Sequence, residues 1–263
     1  MRTAFSEGKL TVLVGIRCTD GIVIGADSMA TSAAGINPLM HLQSNNKIQV
    51  FENSVILAAT GAVGLSQRLS HHVSAAIGAK VFANFNANDG LANISHRFMS
   101  DLTNSMHPSY PPVGIQFGAL LACCIKGIPH LVEYDSVNFQ PEIRRDKLFF
   151  VSMGSGQVLA DPFLAFVVRV LWKNTMPSVE DGKFGVYWAL SHTIKLAPGG
   201  VGAPLRIAVL REKDGRWCVE ESVDSPEQAE YIDNLEEYIG RFSREGGGDD
   251  VAGQIPILGN TPA

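Results

Sequence analysis

Between Thr11 and Gly61 short apolar runs alternate with polar breaks. Residues 11–18 and 22–26 are rich in Val and Ile and are parted by Thr19-Asp20-Gly21. Residues 46–50 and 55–60 repeat the arrangement around Glu52-Asn53-Ser54. Each pair reads as a β-hairpin. After Gly61 the period changes. Val63, Leu65, Leu69, Val73, Ile77 and Val81 fall at helical spacing and predict a helix over 62–82. Leu91, Ile94, Phe98 and Leu102 place a second helix at about 89–106, broken by Pro108, Pro111 and Pro112. Strands follow at 114–125, apolar on both faces, and at 130–134, 139–143 and 147–151. Helices are predicted at 161–172 and 179–196, and a hairpin pairs 205–210 with 217–219 over Lys213-Asp214-Gly215. Ser225 caps a last, acidic helix over 225–242, with Pro226 in its first turn. This order of strands and helices suits an α+β fold, two stacked antiparallel sheets with helices outside.

Composition acts mainly by exclusion. A chain of 263 residues with 46% hydrophobic content can bury one large core, and no compositional shift appears before Arg244. We therefore expect a lead at 1–10, one domain over 11–243 and a flexible Gly- and Asp-containing tail at 244–263. A net charge of −5 without a basic run argues against a nucleic-acid partner. The longest apolar stretches, 119–125 and 163–171, are too short to span a bilayer. Residues 1–10 lack the apolar segment of a secretory signal. Cys18, Cys123, Cys124 and Cys218 lie in or beside apolar strand runs without metal spacing, which predicts buried thiols in a cytoplasmic protein. His71 and His72 are adjacent on a helix and do not share a face, so no metal site is expected there. No cofactor is expected, and Asp135 and Asp161 are assigned no role.

Three residues carry candidate chemistry. Thr11 opens the first strand, Asp27 ends the second and Lys47 opens the third. Antiparallel pairing can bring Thr11 and Asp27 to the same end of a sheet. A hydroxyl is a poor nucleophile until a base takes its proton. A nearby ammonium eases that loss, and a carboxylate holds the ammonium in place. Were Thr11 the first residue, its own amine, with an ordinary pKa of roughly 8, would serve as the base. Each residue also has a plainer reading: Thr11 as a β-branched strand residue, Asp27 as a turn cap, Lys47 as a solvated strand-edge lysine.

Thr11-x-x-Val14-Gly15-Ile16, the Asp20-Gly21 turn, Ala26-Asp27-Ser28-x-Ala30-Thr31, Lys47-Ile48 and Ala59-x-Gly61, with Gly154-Ser155-Gly156 further on, resemble the proteasome β-type subunits and their bacterial proteasome-like relatives. These are N-terminal-nucleophile (Ntn) hydrolases, and the resemblance spans roughly residues 11–242. It implies a four-layer αββα sandwich and a threonine-type endopeptidase whose nucleophile, Thr11, is exposed by removal of residues 1–10. Asp27 and Lys47 would activate it, the Gly61 N–H would stabilise the oxyanion, and Ser155 would belong to the site. Read without the resemblance, Ser155 caps the helix that follows it. Thr31, Ala30, Ala59 and Val63 would bind the substrate, a peptide or unfolded protein. The resemblance further implies a cytoplasmic homo-oligomer, a ring or stacked ring, served by an ATPase unfoldase. Apolar Ala75, Ala76, Phe82 and Phe85, beyond one helical stripe, would supply contacts between subunits. Two departures stand out. Leu10 precedes Thr11 where active members usually carry glycine, and residues 197–202 lack the aspartate and serine usual in that turn. A non-catalytic, unprocessed ring subunit and an Ntn amidase acting on a small amide are the alternatives.

Overall fold

The computed structural model describes residues 11–30, 43–44, 46–105, 117–197 and 202–245. Strands β1 (Leu13–Arg17) and β2 (Gly21–Ala26) form the first hairpin, β3 (Met29–Ala30) and β4 (Gln43–Ser44) a small ribbon, and β5 (Ile48–Phe51) and β6 (Val55–Gly61) the second hairpin. Helices α1 (Val63–Gly78), α2 (Val81–Asn84) and α3 (Ala87–Ser105) follow. Then come β7 (Phe117–Ile125), β8 (Ile128–Tyr134), β9 (Pro141–Ile143) and β10 (Phe150–Met153). Helices α4 (Gln157–Val170) and α5 (Val179–Leu196), strands β11 (Arg206–Lys213) and β12 (Arg216–Val223), and α6 (Pro226–Glu245) complete the order. The chain forms two compact units that part between Val223 and Asp224.

In the first unit the two long hairpins enter different sheets. One sheet has the order β10-β1-β2-β11-β12 and the other β5-β6-β7-β8-β9, every pair antiparallel. Turn chemistry sets the hairpins. Glu52 and Asn53 both adopt positive φ (45° and 53°), as do Lys126-Gly127 and Asp214-Gly215. Two consecutive left-handed residues make the primed turn whose twist matches antiparallel strands.

Alternation along the strands separates the layers. Leu13, Ile22 and Ile24 of the first sheet meet Ile56, Ala58, Leu120, Ala122 and Leu131 of the second between the sheets. The opposite face of the second sheet, Val55, Leu57, Ala59, Leu121 and Cys123, packs on Leu69 and Val73 of α1 and on Leu91, Ile94 and Phe98 of α3. Strand β7 is thus apolar on both faces because both are covered. Helix α5 lies on the outer face of the first sheet. It approaches so closely that a Cβ on Gly25 would stand 2.3 Å from Val186 Cγ1, which only glycine allows. The architecture is α+β, helices over sheet over sheet over helices, the expected αββα sandwich.

The second unit holds α6. Ser225 Oγ accepts from Gln228 N–H at 3.3 Å while Gln228 Oε1 accepts from Ser225 N–H at 3.2 Å. This reciprocal capping box fixes the helix start where Ser225 predicts it.

Several elements differ from their sequence patterns. The single helix expected over 62–82 is two, because Lys80 turns left-handed at φ 55° and α1 ends at Gly78. Val81 stays buried across the break, so the apolar period runs on undisturbed. Helix α4 begins at Gln157 rather than Asp161 and carries Pro162 inside it. Two cysteines, Cys18 and Cys123, are buried, whereas Cys124 and Cys218 are partly exposed. His72 Nε2 lies 3.3 Å from Asp101, and no cluster of possible metal ligands occurs among the described residues. None of the described helices is long and apolar enough to cross a membrane.

The surface assigned to α1 also changes. Ala75 and Phe85 are exposed, but Ala76 is 2% exposed and belongs to the helix-side core. A charge at Ala76 would therefore test the core and not an interface. Ala76→Asp should lower folding stability by about 3–5 kcal/mol, as expected for an uncompensated buried charge. Ala75→Asp should stay within about 0.5 kcal/mol. Urea unfolding of the two variants checks the difference.

Candidate active site

The antiparallel register of β1 and β2 places Leu13 opposite Ala26. Thr11 and Asp27, just outside the paired segments, therefore share one end of the first sheet. Asp27 N–H donates to the Val12 carbonyl at 3.3 Å, and Val12 N–H donates to Asp27 Oδ1 at 3.0 Å. Lys47 enters from the second sheet. It precedes β5, where its carbonyl accepts from Ala59 N–H at 3.3 Å. Its side chain reaches across the sandwich, and Nζ lies 2.6 Å from Asp27 Oδ1 and 3.4 Å from Thr11 Oγ1. The sandwich thus brings Thr11, Asp27 and Lys47 together.

Burial sets the electrostatics. The Asp27 side chain is fully buried and that of Lys47 is 7% exposed. Desolvation pushes the Lys47 pKa below the ordinary lysine value, and the Asp27 charge and hydrogen bond pull it back up. A base with a lowered folded pKa makes the folded state less stable below that pKa, and the loss is recovered as pH rises toward the ordinary value of 10.5. The ammonium raises the local potential at a hydroxyl that is itself only half-buried.

The turn between β10 and α4 grips Thr11 from the other side. Thr11 N–H donates to Ser155 Oγ at 3.0 Å, and Gly156 N–H donates to the Thr11 carbonyl at 3.1 Å. Both main-chain polar groups of Thr11 are held by this turn. Gly154 makes the approach possible. Its φ is +91°, and a Cβ there would come 2.2 Å from the Thr11 carbonyl oxygen. Ser155 does not cap α4: the N-cap position is Gly156, without a side-chain cap. Its hydroxyl turns to Thr11 instead.

Gly61 ends β6 at φ +106°, one residue before the N-cap of α1. Thr60 Oγ1 would lie 3.3 Å from the same Gly154 Cβ, so the end of β6 reaches the neighbourhood of Thr11. Ala59 is 8% exposed in the helix-side core, Val63 is 54% exposed at the start of α1, and Ala30 falls in β3. Thr31 lies outside the described residues. Sequence reasoning missed the roles of Gly154 and Gly156. The doubled glycine of Gly154-Ser155-Gly156 was the available signal, since each one allows a close backbone approach. A cavity of about 490 Å³ lies elsewhere, at the far end of β1, lined by Arg17, His130, Arg145 and the start of α3.

No protein-family model matches the chain, and no curated protein matches it. Solved structures do. A Gly-1 mutant of Anbu from Hyphomicrobium sp. strain MC1 is 16% identical and superposes with a TM-score of 0.68 over 90% of this chain and 97% of its own. Anbu from Pseudomonas aeruginosa, solved as a helical assembly, is 17% identical with a TM-score of 0.63 over 95% and 98%. Anbu, the ancestral beta-subunit, from Yersinia bercovieri is 14% identical with a TM-score of 0.64 over 95% and 99%. The fold is the proteasome-like fold. The family suggested by the motifs is corrected by the same findings. The structures just named are Anbu proteins, not proteasome β-type subunits, and at these identities, with no family model matching, the likeness is one of fold alone.

The buried pair generates a prediction independent of any activity. Asp27→Asn leaves the Lys47 ammonium buried beside a neutral amide and should lower stability by about 3–5 kcal/mol. Equilibrium unfolding in denaturant at neutral pH checks it, and an unchanged midpoint would mean that the ion pair contributes nothing to the fold.

Proposed function

We propose that the chain is a threonine-type Ntn hydrolase that cleaves peptide bonds with the Thr11 hydroxyl. The observation that carries this reading is the juxtaposition at Thr11 Oγ1: a buried lysine at 3.4 Å, held by a buried carboxylate at 2.6 Å. An ion pair in that setting is a poor structural device compared with apolar packing. As a means of easing proton loss from a nucleophile it is apt.

Leu10 precedes Thr11 in the chain, so the Thr11 nitrogen is a peptide N–H without a basic lone pair. Hydrolysis of the Leu10–Thr11 bond converts it into an amine at the same place. The Thr11 hydroxyl then gives its proton to that amine, and Oγ1 attacks the substrate carbonyl. Backbone N–H groups near Gly61 stabilise the oxyanion, each such donor contributing roughly 3–4 kcal/mol. Collapse expels the leaving amine, which takes the proton, and an ester remains on Thr11. Water hydrolyses the ester and restores the hydroxyl. Lys47 keeps its proton throughout and acts by charge. Homo-oligomerisation belongs to the same reading. The Pseudomonas aeruginosa Anbu complex is a helical assembly, and Phe85 and Phe166 here leave large apolar surface exposed. The competing reading, a non-catalytic scaffold, is favoured by Leu10 in place of the usual glycine.

Thr11→Ala should abolish hydrolysis of peptide-amide substrates while leaving the fold intact, and Lys47→Ala should reduce turnover by about 10²-fold or more. Intact-mass measurement separates the two readings: loss of residues 1–10 in the wild type but not in Thr11→Ala supports the hydrolase, and an uncleaved, inactive wild type supports the scaffold. Light scattering should give a mass well above the 28.3 kDa of one chain.

A further inference from the structure

The turn that holds Thr11 is rich in glycine and is closed by a backbone hydrogen bond from Gln157 N–H to the Gly154 carbonyl at 3.1 Å. Gly154 and Gly156 flank Ser155, the N-cap position Gly156 offers no side chain, and Ser155 is exposed. Two glycines in a three-residue segment lose more freedom on ordering than other residues do. Yet Ser155 Oγ and Gly156 N–H must both meet Thr11, at 3.0 and 3.1 Å.

A carboxylate brackets the turn. Asp161, in the second turn of α4, accepts from Ser152 Oγ at 2.5 Å and from Gln157 Nε2 at 3.0 Å. Ser152 lies at the end of β10, wholly buried and opposite Val14 of β1. It is anchored in the same ladder that carries Thr11. Gln157 is the first residue of α4, four before Asp161 and therefore on the same helix face. One carboxylate thus ties the strand before the turn to the helix after it. The bond to Ser152 is short and charge-assisted, the stronger kind of hydrogen bond.

We propose that Asp161 is a positioning residue: by clamping Ser152 and Gln157 it fixes the Gly154–Gly156 turn, and through Ser155 and Gly156 the place of Thr11. Its hydrogen bonds go to Ser152 and Gln157, and it acts on Thr11 through the turn. The inference rests on the proposed hydrolytic role of Thr11 for its effect on rate. Its effect on the turn stands independently.

The test has two arms on the full-length chain. The first is hydrogen exchange, read by mass spectrometry on a segment spanning residues 153–159. Asp161→Ala should speed exchange there by about tenfold, through local opening, while segments of β1 and β2 keep wild-type protection. The second arm is steady-state hydrolysis of a peptide-amide substrate. Asp161→Ala should lower kcat by about 10²-fold with KM nearly unchanged, because a displaced nucleophile slows the chemistry more than it weakens binding. Asp161→Asn keeps an oxygen for the Ser152 hydroxyl and should restore most of both. Ser152→Ala, which removes the donor without changing charge, should reproduce the alanine effect and serves where Asp161→Ala lowers global stability. Wild-type exchange and kcat in Asp161→Ala would overturn the proposal, as would an Asn variant that behaves like Ala. Should Thr11→Ala retain full hydrolysis, the proposed function falls while the exchange arm still decides the clamp.

Discussion

The Lys47–Asp27 pair is the contact on which the candidate site depends, because it joins two hairpins that belong to different sheets. Asp27 is fixed by β2 and by the Val12 N–H. Lys47 is fixed by the start of β5. Apolar packing between the sheets is non-directional and tolerates small slides. A 2.6 Å contact between buried charges does not. The pair therefore converts a general association of sheets into a specific alignment at one end, the end where Thr11 lies. The same burial lowers the Lys47 pKa, and the charge and hydrogen bond of Asp27 oppose that shift. A surface lysine at the same distance from Thr11 would be screened by water and salt and would influence the hydroxyl far less.

Much of this was legible in the chain, and the reason is local. Hairpin turns announce themselves through residues that accept positive φ, and Glu52-Asn53 and Asp214-Gly215 lie where the pattern puts them. Because Thr11, Asp27 and Lys47 flank the ends of such strands, their spacing translates directly into a shared location. The break at Lys80 was hidden because its cause is a single backbone conformation that leaves the apolar period intact. Ala76 was misread for a related reason. An alanine carries almost no signature of which side it faces, and only the packing of α1 against β6 and α3 decides that it is core. Asp161 was invisible because its partners, Ser152 and Gln157, lie on two elements whose meeting depends on the turn between them.

The contrast between motif and fold has a physical basis too. The likeness to Anbu structures extends over at least nine-tenths of both chains, yet identity is 14–17%. Sandwich layers require apolar residues of suitable size at alternating positions, a demand that many sequences meet. A few polar residues at strand ends need particular identities, and these, with the glycines and small apolar residues around them, carried the motif resemblance. Such positions are too sparse to establish descent in a single family. What they do here follows from their geometry in this molecule.

That geometry bears on why a serine stands beside Thr11. In the chain as it stands, Ser155 Oγ accepts from the Thr11 peptide N–H. A hydroxyl is both donor and acceptor, with a proton free to rotate. If the Leu10–Thr11 bond is cut, the same hydroxyl can accept from an ammonium or donate to the lone pair of an amine without moving. A carboxylate in its place would only accept, would favour the ammonium, and would suppress the base on which the proposed chemistry depends. Gly156 N–H, meanwhile, holds the Thr11 carbonyl whichever state the nitrogen is in. The turn therefore fixes the main chain of Thr11 without committing its nitrogen to one protonation state. A nucleophile that must also supply its own base requires both conditions together.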